Sequence, residues 1–330
     1  MLKGLESIRD WRRMIITRLS STATLSTASQ NISHGHGSRD AEGEALQVLS
    51  WVTRIHPLEL DKHLDARLCE TEKTQILEKI EQRLETRWPM AYVLGEAWFG
   101  DLRLKADARA LVPRSLILES LGQSFWDALQ QLAPDYAERI ANQLAEHGDP
   151  SPGDEALRIL DLCTGGASIA IRAALNFPSA HVTASDLSVD ALALAQENIE
   201  MLNLGAHIAL HQGHLFAGLK DKFDLILCNP PYVNEASMEA LPAEFQAEPR
   251  LALAGGLDGM DLIRELFKEA PNFMTLDAHL LLEIGHEAAY FEAAFPWLNF
   301  SYVPVAAGAN MLVLVSRVDL VNLADINDNH

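Results

Sequence analysis

The chain has 330 residues, 48% of them hydrophobic and 22% charged, the balance of an ordinary globular protein rather than of a disordered chain. Lys and Arg number 26 against 46 Asp and Glu, a formal net charge of −20. That charge argues against holding naked nucleic acid through its phosphates or adhering to an anionic membrane, and it suits a strongly basic partner. At about 150 residues per domain, the length predicts two domains.

Three cysteines, Cys69, Cys163 and Cys228, have no CxxC spacing. They make neither a disulfide framework nor a structural zinc site, and they fit a reducing cytoplasm. No run of 18 apolar residues occurs, so no membrane-spanning helix is expected. The apolar stretch Met14 to Ile16 is too short for a signal peptide. The Ser/Thr-rich stretch 20–29 follows several arginines, as in a transit peptide, but Glu6 and Asp10 argue against that reading.

In chain order, residues 1–90 read as a helical domain. One helix is expected over Glu42 to Val52, with Ala45, Leu46, Leu49 and Val52 on one face. A second is expected over Thr71 to Arg87, capped by Thr71, carrying Ile76, Leu77, Ile80 and Leu84 at helical spacing, and ended by Trp88–Pro89. His34-Gly35-His36-Gly37 reads as a turn, a poor metal site without carboxylates nearby. Residues 91–114 are rich in strand formers, Tyr92, Val93, Trp98 and Phe99 among them, and punctuated by Gly95 and Gly100, as in a hairpin connector. A helix follows over Ser115 to Leu132, and a polar linker over 145–156 contains Pro150, Pro152 and Gly153.

From Leu157 the pattern alternates. Strands are expected at 157–162, 181–186, 207–211, 223–228, 279–284, 300–306 and 311–317. Helices are expected at 168–176, 188–203 and 258–270, the last two capped by Ser188 and Asp258. Continuous apolar runs such as Leu225-Ile226-Leu227-Cys228 suit parallel strands covered on both faces. The alternation predicts a doubly wound, mostly parallel α/β sheet over residues 115–330.

Three strand ends carry chemistry. The first runs Asp161-Leu162-Cys163-Thr164-Gly165-Gly166-Ala167 into a helix. Its glycines allow close backbone approach, and Asp161 suits a cationic ligand group better than a phosphate; a purely structural tight turn is the alternative. The second ends at Asp186, 21 residues beyond Gly165. An acid there either accepts from both hydroxyls of a ribose or serves the start of the following helix. The fourth ends in Asn229-Pro230-Pro231-Tyr232. Two prolines stiffen the backbone, Asn229 and the Pro230 carbonyl offer acceptors for both hydrogens of a planar –NH2 group, and Tyr232 offers a face to stack on it.

Taken in order, these motifs resemble those of the class I methyltransferases that use S-adenosylmethionine and methylate a planar nitrogen. NPPY occurs among adenine methyltransferases and among protein-glutamine methyltransferases. The helical N-terminal region, Ala97-Trp98-Phe99-Gly100, Arg109 to Ser115, Glu248 to Leu253 and Gly256 to Gly259 resemble the second group. Pro113-Arg114-Ser115, where release-factor enzymes carry PRPDTE or PRPETE, is similar to the branch acting on the third protein of the large ribosomal subunit, as is the HGHG segment.

The resemblance implies an S-adenosylmethionine site made of Asp161, Thr164, Gly165, Gly166, Ala167, Asp186, Leu187, His214, Leu215 and Asn229. It implies a catalytic set of Asn229, Pro230 and Tyr232, a substrate site of those residues with Pro231, and no metal. It further implies a basic ribosomal protein as partner and the 1–90 domain as its docking module. The alternatives are a release-factor glutamine methyltransferase, or a non-catalytic protein that kept the fold. Two departures stand out: Ala167 where the family has the last glycine of TGSG, and His214-Leu215-Phe216 where it has Asp-Leu-Phe. Each lost contact is worth about 1 kcal/mol of cofactor affinity.

Overall fold

The computed structural model describes residues 4–20, 32–121 and 156–328, with isolated positions between 127 and 141. The Ser/Thr-rich stretch beyond Ser20, the linker up to Glu155 and most of the helix expected beyond Leu121 lie outside the described residues. Two compact units emerge. One is residues 1–114 together with Leu241–Pro249, and the other is residues 115–240 together with 250–330. The segment Leu241–Pro249, placed by the sequence reading within the 115–330 portion, thus counts with the first unit.

The first unit packs helices α1 (Ile8–Ser20), α2 (Ala41–Thr53), α3 (Glu70–Thr86) and α4 (Met90–Leu94) around Trp11, Ile15, Leu49, Ile76 and Ile80. The start of α3 is set by Glu72, not Thr71. The Glu72 carboxylate accepts the Cys69 N–H at 2.7 Å, the acid half of a capping box, which makes Cys69 the cap. Tyr92 and Val93 belong to α4 rather than to a strand; Gly95, at φ +73°, ends that helix and starts the hairpin of β1 (Glu96–Phe99) and β2 (Leu102–Lys105). The HGHG segment is a turn, closed by Gly35 N–H donating to Ser38 O at 2.7 Å.

Carboxylates do lie beside its histidines, contrary to expectation. His34 Nδ1 is 2.9 Å from Glu44, and His36 Nε2 is 3.3 Å from Glu248. Arginines share the same acids. Arg83 donates to both oxygens of Glu44 at 2.9 and 3.1 Å and to Glu244 at 3.3 Å. Arg87 donates to Glu244 at 2.6 Å, and Arg114 to Glu248 at 2.6 and 2.8 Å.

The second unit is a seven-stranded sheet in the order β5-β4-β3-β6-β7-β9-β8. Its strands are β3 (Arg158–Leu162), β4 (His181–Asp186), β5 (Ile208–Gln212), β6 (Phe223–Cys228), β7 (Met274–Glu283), β8 (Ser301–Tyr302) and β9 (Leu312–Ser316). The first five run parallel, and β9 is antiparallel to both neighbours. β7 starts five residues before the expected 279 because Phe223 pairs with Met274 before a register shift. Asp258 is not the cap expected of it: the helix starts at Asp261, and the Asp258 carboxylate accepts the Met260 N–H ahead of it. Strand order reverses between β3 and β6, so the crevice where open α/β sheets bind ligands lies at the carboxyl ends of these two strands. Among the described residues, no helix is long and apolar enough to cross a membrane.

Candidate active site

Leu162 pairs with Cys228 across β3 and β6, so the glycine turn and the NPPY segment leave the sheet from neighbouring positions. The turn is left-handed at every second residue: Cys163 (φ +58°), Gly165 (φ +54°) and Ala167 (φ +64°). Glycine adopts this geometry freely, but Ala167 does so at a cost. Thr164 N–H donates to Ser185 O, and Ala167 N–H to Thr164 O, which closes the loop onto β4 before the helix Ser168–Asn176 begins. Gly166 is closely enclosed by the helix that follows β4. Its carbonyl accepts from the buried Asn198 amide at 3.0 Å, and a Cβ there would sit 3.4–3.5 Å from Asn198 and Leu194.

Asp161 is fully buried. Its Oδ2 accepts from Thr164 Oγ1 at 2.6 Å and from Ala170 N–H at 3.0 Å, while Oδ1 is buried without a hydrogen-bond partner among the described residues. Burial raises its pKa to about 7, more than those two bonds lower it. Asp186 sits at the end of β4, where Oδ2 accepts from Gly165 N–H and Oδ1 from Ser188 N–H, both at 2.8 Å. Burial pushes its carboxyl up as well. The helix cap proper is Ser188, which accepts from Ala191 N–H. Asp186 therefore joins the glycine turn to the cap residue and, with four lone-pair sites facing the N–H groups of Gly165, Leu187 and Ser188, keeps acceptor capacity for a further donor. Leu187 beside it is exposed.

The loop after β5 comes to the same place, because Gly213 N–H donates to Asp186 O at 3.0 Å. His214 is half exposed, with Nε2 3.6 Å from Glu265. Leu215 is buried at φ +48°, and Phe216 anchors the loop by stacking on Phe273 at 4.6 Å.

Asn229 is half-buried, and among the described residues its amide makes no hydrogen bond to protein. Pro230 is buried; Pro231 and Tyr232 are half-buried. Val233 is tied to the segment 253–255 by two 2.9 Å backbone bonds. Gly255 and Gly259 are glycines for lack of space. A Cβ would fall 2.8 Å from the Pro231 carbonyl oxygen at Gly255, and 2.2 Å from that of Tyr232 at Gly259. Gly285 lies against the Tyr232 ring, where a Cβ would come within 2.6–3.0 Å of it. The Tyr232 hydroxyl donates to Glu283 at 3.2 Å. Asn234 donates to both oxygens of Glu287.

The structure thus brings together Asp161, Thr164–Ala167, Asp186, His214 and, one strand away, Asn229–Tyr232. Asn198, Glu283, Gly285 and Glu287 contact these residues without having stood out along the chain. Of these, only Gly285, a lone glycine directly after an apolar strand, left a local trace in the chain.

Residues 142–257 match the family model described as methyltransferase small domain. With the seven-stranded sheet and its glycine turn, this defines a class I methyltransferase. A ribosomal protein uL3 glutamine methyltransferase of Bordetella pertussis is 40% identical over 96% of this chain and 97% of its own length. Relatives of the same name from Burkholderia pseudomallei (38%, 97% of each chain) and Neisseria gonorrhoeae (36%, 96% of each chain) match equally broadly. The chain belongs to the family of ribosomal protein uL3 glutamine methyltransferases, and it is an enzyme that transfers methyl groups.

Proposed function

We propose that the protein methylates the side-chain amide nitrogen of a glutamine in ribosomal protein uL3, in the cytoplasm, with S-adenosylmethionine as donor. The observation that carries this reading is similarity over 96% of the chain to enzymes named for that activity, including the helical unit. That unit then serves to dock the substrate. The charge of −20 agrees with a basic ribosomal protein as partner.

The residues fit the cofactor. Asp161 presents a buried, unpartnered oxygen on an acid that burial makes reluctant to ionise, an environment that a cationic group relieves. Asp186 keeps acceptor capacity for ribose hydroxyls. Thr164, Gly165, Gly166, Ala167, Leu187, His214, Leu215 and Asn229 complete the set. When bound, S-adenosylmethionine supplies a methyl group already activated on a sulfonium.

The chain's own residues have the task of alignment. An amide nitrogen is a weak nucleophile because its lone pair is shared with the carbonyl. The Asn229 side-chain oxygen and the Pro230 carbonyl accept the two amide hydrogens, fix the nitrogen and push electron density onto it as positive charge develops. Tyr232 stacks on the amide plane. The surplus proton is strongly acidic and leaves to water. The prolines keep the Pro230 carbonyl free of helical or sheet pairing.

The test is incubation with methyl-labelled S-adenosylmethionine and separated ribosomal proteins and release factors, followed by mass spectrometry of the labelled peptide. Label on a glutamine of uL3 is the expected result; label on a release factor, or on neither, overturns the substrate. Asn229→Ala should lower single-turnover transfer about 10²- to 10³-fold, as loss of one oriented hydrogen-bonding group does, with cofactor affinity by calorimetry falling by no more than the roughly five-fold of one lost contact.

A further inference from the structure

We propose that Glu283 is the positioning residue of Tyr232, and that Ser115 with the Leu116 N–H holds Glu283 in place for that task. The inference rests on the role proposed above for Tyr232. Glu283 is the last residue of β7, and its neighbour Leu282 pairs with Cys228. The carboxylate therefore emerges beside the NPPY segment, at the carboxyl ends of the central strands, yet it is only 4% exposed. A buried carboxylate is retained only where donors satisfy it.

Donors among the described residues do so here. Ser115 Oγ and Leu116 N–H both donate to Oε2, at 2.6 and 2.9 Å, and the Tyr232 hydroxyl donates to Oε1 at 3.2 Å. Ser115 is itself oriented, because its oxygen accepts the Ile117 N–H at 3.2 Å. The two shorter bonds set the plane of the carboxylate, and its remaining oxygen then sets where the tyrosine hydroxyl sits.

The ring is constrained from other directions too. The backbone at Tyr232 is pinned by Pro231 and by the Val233 bridge, and the ring lies against Gly285, where any side chain would collide with it. A tyrosine has two side-chain torsions. Contact with Gly285 and the bond to Glu283 define both, and so define the plane offered to the substrate amide. None of these residues carries the methyl group or its proton. Glu283 acts through Tyr232, and Ser115 acts through Glu283.

A double-mutant cycle tests this on the full-length enzyme with its labelled protein substrate. Glu283→Gln should lower kcat about 10- to 100-fold, the range for losing a partner that orients an active-site group, with KM for the cofactor within about two-fold. In the Tyr232→Phe background, the same substitution should change kcat by less than about two-fold. An equal loss in both backgrounds overturns the proposal, as does an undiminished kcat for Glu283→Gln. Should Glu283→Gln fail to fold, Ser115→Ala takes its place in the same cycle, with the same two outcomes.

A readout without turnover separates this inference from the substrate reading. In the free protein with 13C-labelled tyrosine, the ring resonances assigned to Tyr232 by their loss in Tyr232→Phe should shift in Glu283→Gln. Unmoved resonances refute the relay even if uL3 is methylated. Shifted resonances uphold it even if another protein proves to be the substrate.

Discussion

Two groups of buried acids face opposite circumstances in this molecule. Glu44, Glu244 and Glu248 in the helical unit lie against Arg83, Arg87 and Arg114 and against two histidines. Asp161 and Asp186, at the ends of β3 and β4, meet hydroxyl and backbone N–H donors among the described residues. Burial pushes all five carboxyls up. For the glutamates, hydrogen bonds and charges from His34, His36 and the arginines outweigh it; Glu248 is held down at about 2. For the aspartates burial prevails, and Asp161 stands at about 7. A fold that neutralises its own buried charge is using it for structure. An acid left short of positive charge beside a glycine turn agrees with the cationic ligand proposed above.

The largest test strikes the compensated group. Arg83→Met leaves Glu44 without its guanidinium and removes one from Glu244 in a buried setting. It should cost about 3–5 kcal/mol in urea unfolding at pH 7. A loss below about 1 kcal/mol would mean that the cluster is not a coupled network and would dissolve the contrast.

The pH profiles carry the contrast in sign. Glu248 titrates lower in the folded state than its ordinary 4.5. The stability it contributes is present above about 4.5 and is lost as pH falls toward 2, up to about 3 kcal/mol. Asp161 titrates higher than its ordinary 3.8. Its contribution is present below about 4 and is lost as pH rises toward 7, at a slope of at most about 1.4 kcal/mol per pH unit. Unfolding of the cofactor-free Glu248→Gln protein should therefore lose the acid limb of the stability curve, whereas Asp161→Asn should flatten the limb between pH 4 and 8. Calorimetry on Asp161→Asn should show weaker cofactor binding at pH 8 together with the flatter profile. Loss of both limbs in one variant would show the two groups to be coupled.

The smallest effect concerns strain at the uncompensated site. Ala167 holds φ +64° in the buried cap position of its helix. Ala167→Gly should stabilise the cofactor-free protein by about 1 kcal/mol, measured by thermal unfolding, because glycine carries no penalty there. No gain would mean that burial of the alanine methyl offsets the strain.

Much of the second unit was legible along the chain. Leu225-Ile226-Leu227-Cys228 reads as a buried parallel strand because both faces are covered, and it is one, from Phe223 to Cys228. The helix expected at 168–176 spans Ser168–Asn176. Helix starts were less legible, because a cap is a choice among nearby polar residues. Glu72 reaches back to Cys69 and moves the start ahead of Thr71, and Asp258, two residues before the cap position Met260, binds that residue's N–H instead of capping. Tyr92 and Val93 favour strands by type, but the left-handed turn at Gly95 ends a helix there.

What the sequence determined by itself is chemistry that lies within a few residues: glycines before a helix, an acid at a strand end, Asn-Pro-Pro-Tyr after an apolar run. Backbone stiffness, turn geometry and donor type are local properties, so they are written locally. Which acids are compensated was decided only in three dimensions. Arg83 meets Glu244 across 161 residues, and Ser115 meets Glu283 across 168. Electrostatic pairing depends on distance in space and on the water removed around it, and neither quantity is a property of any short stretch of chain.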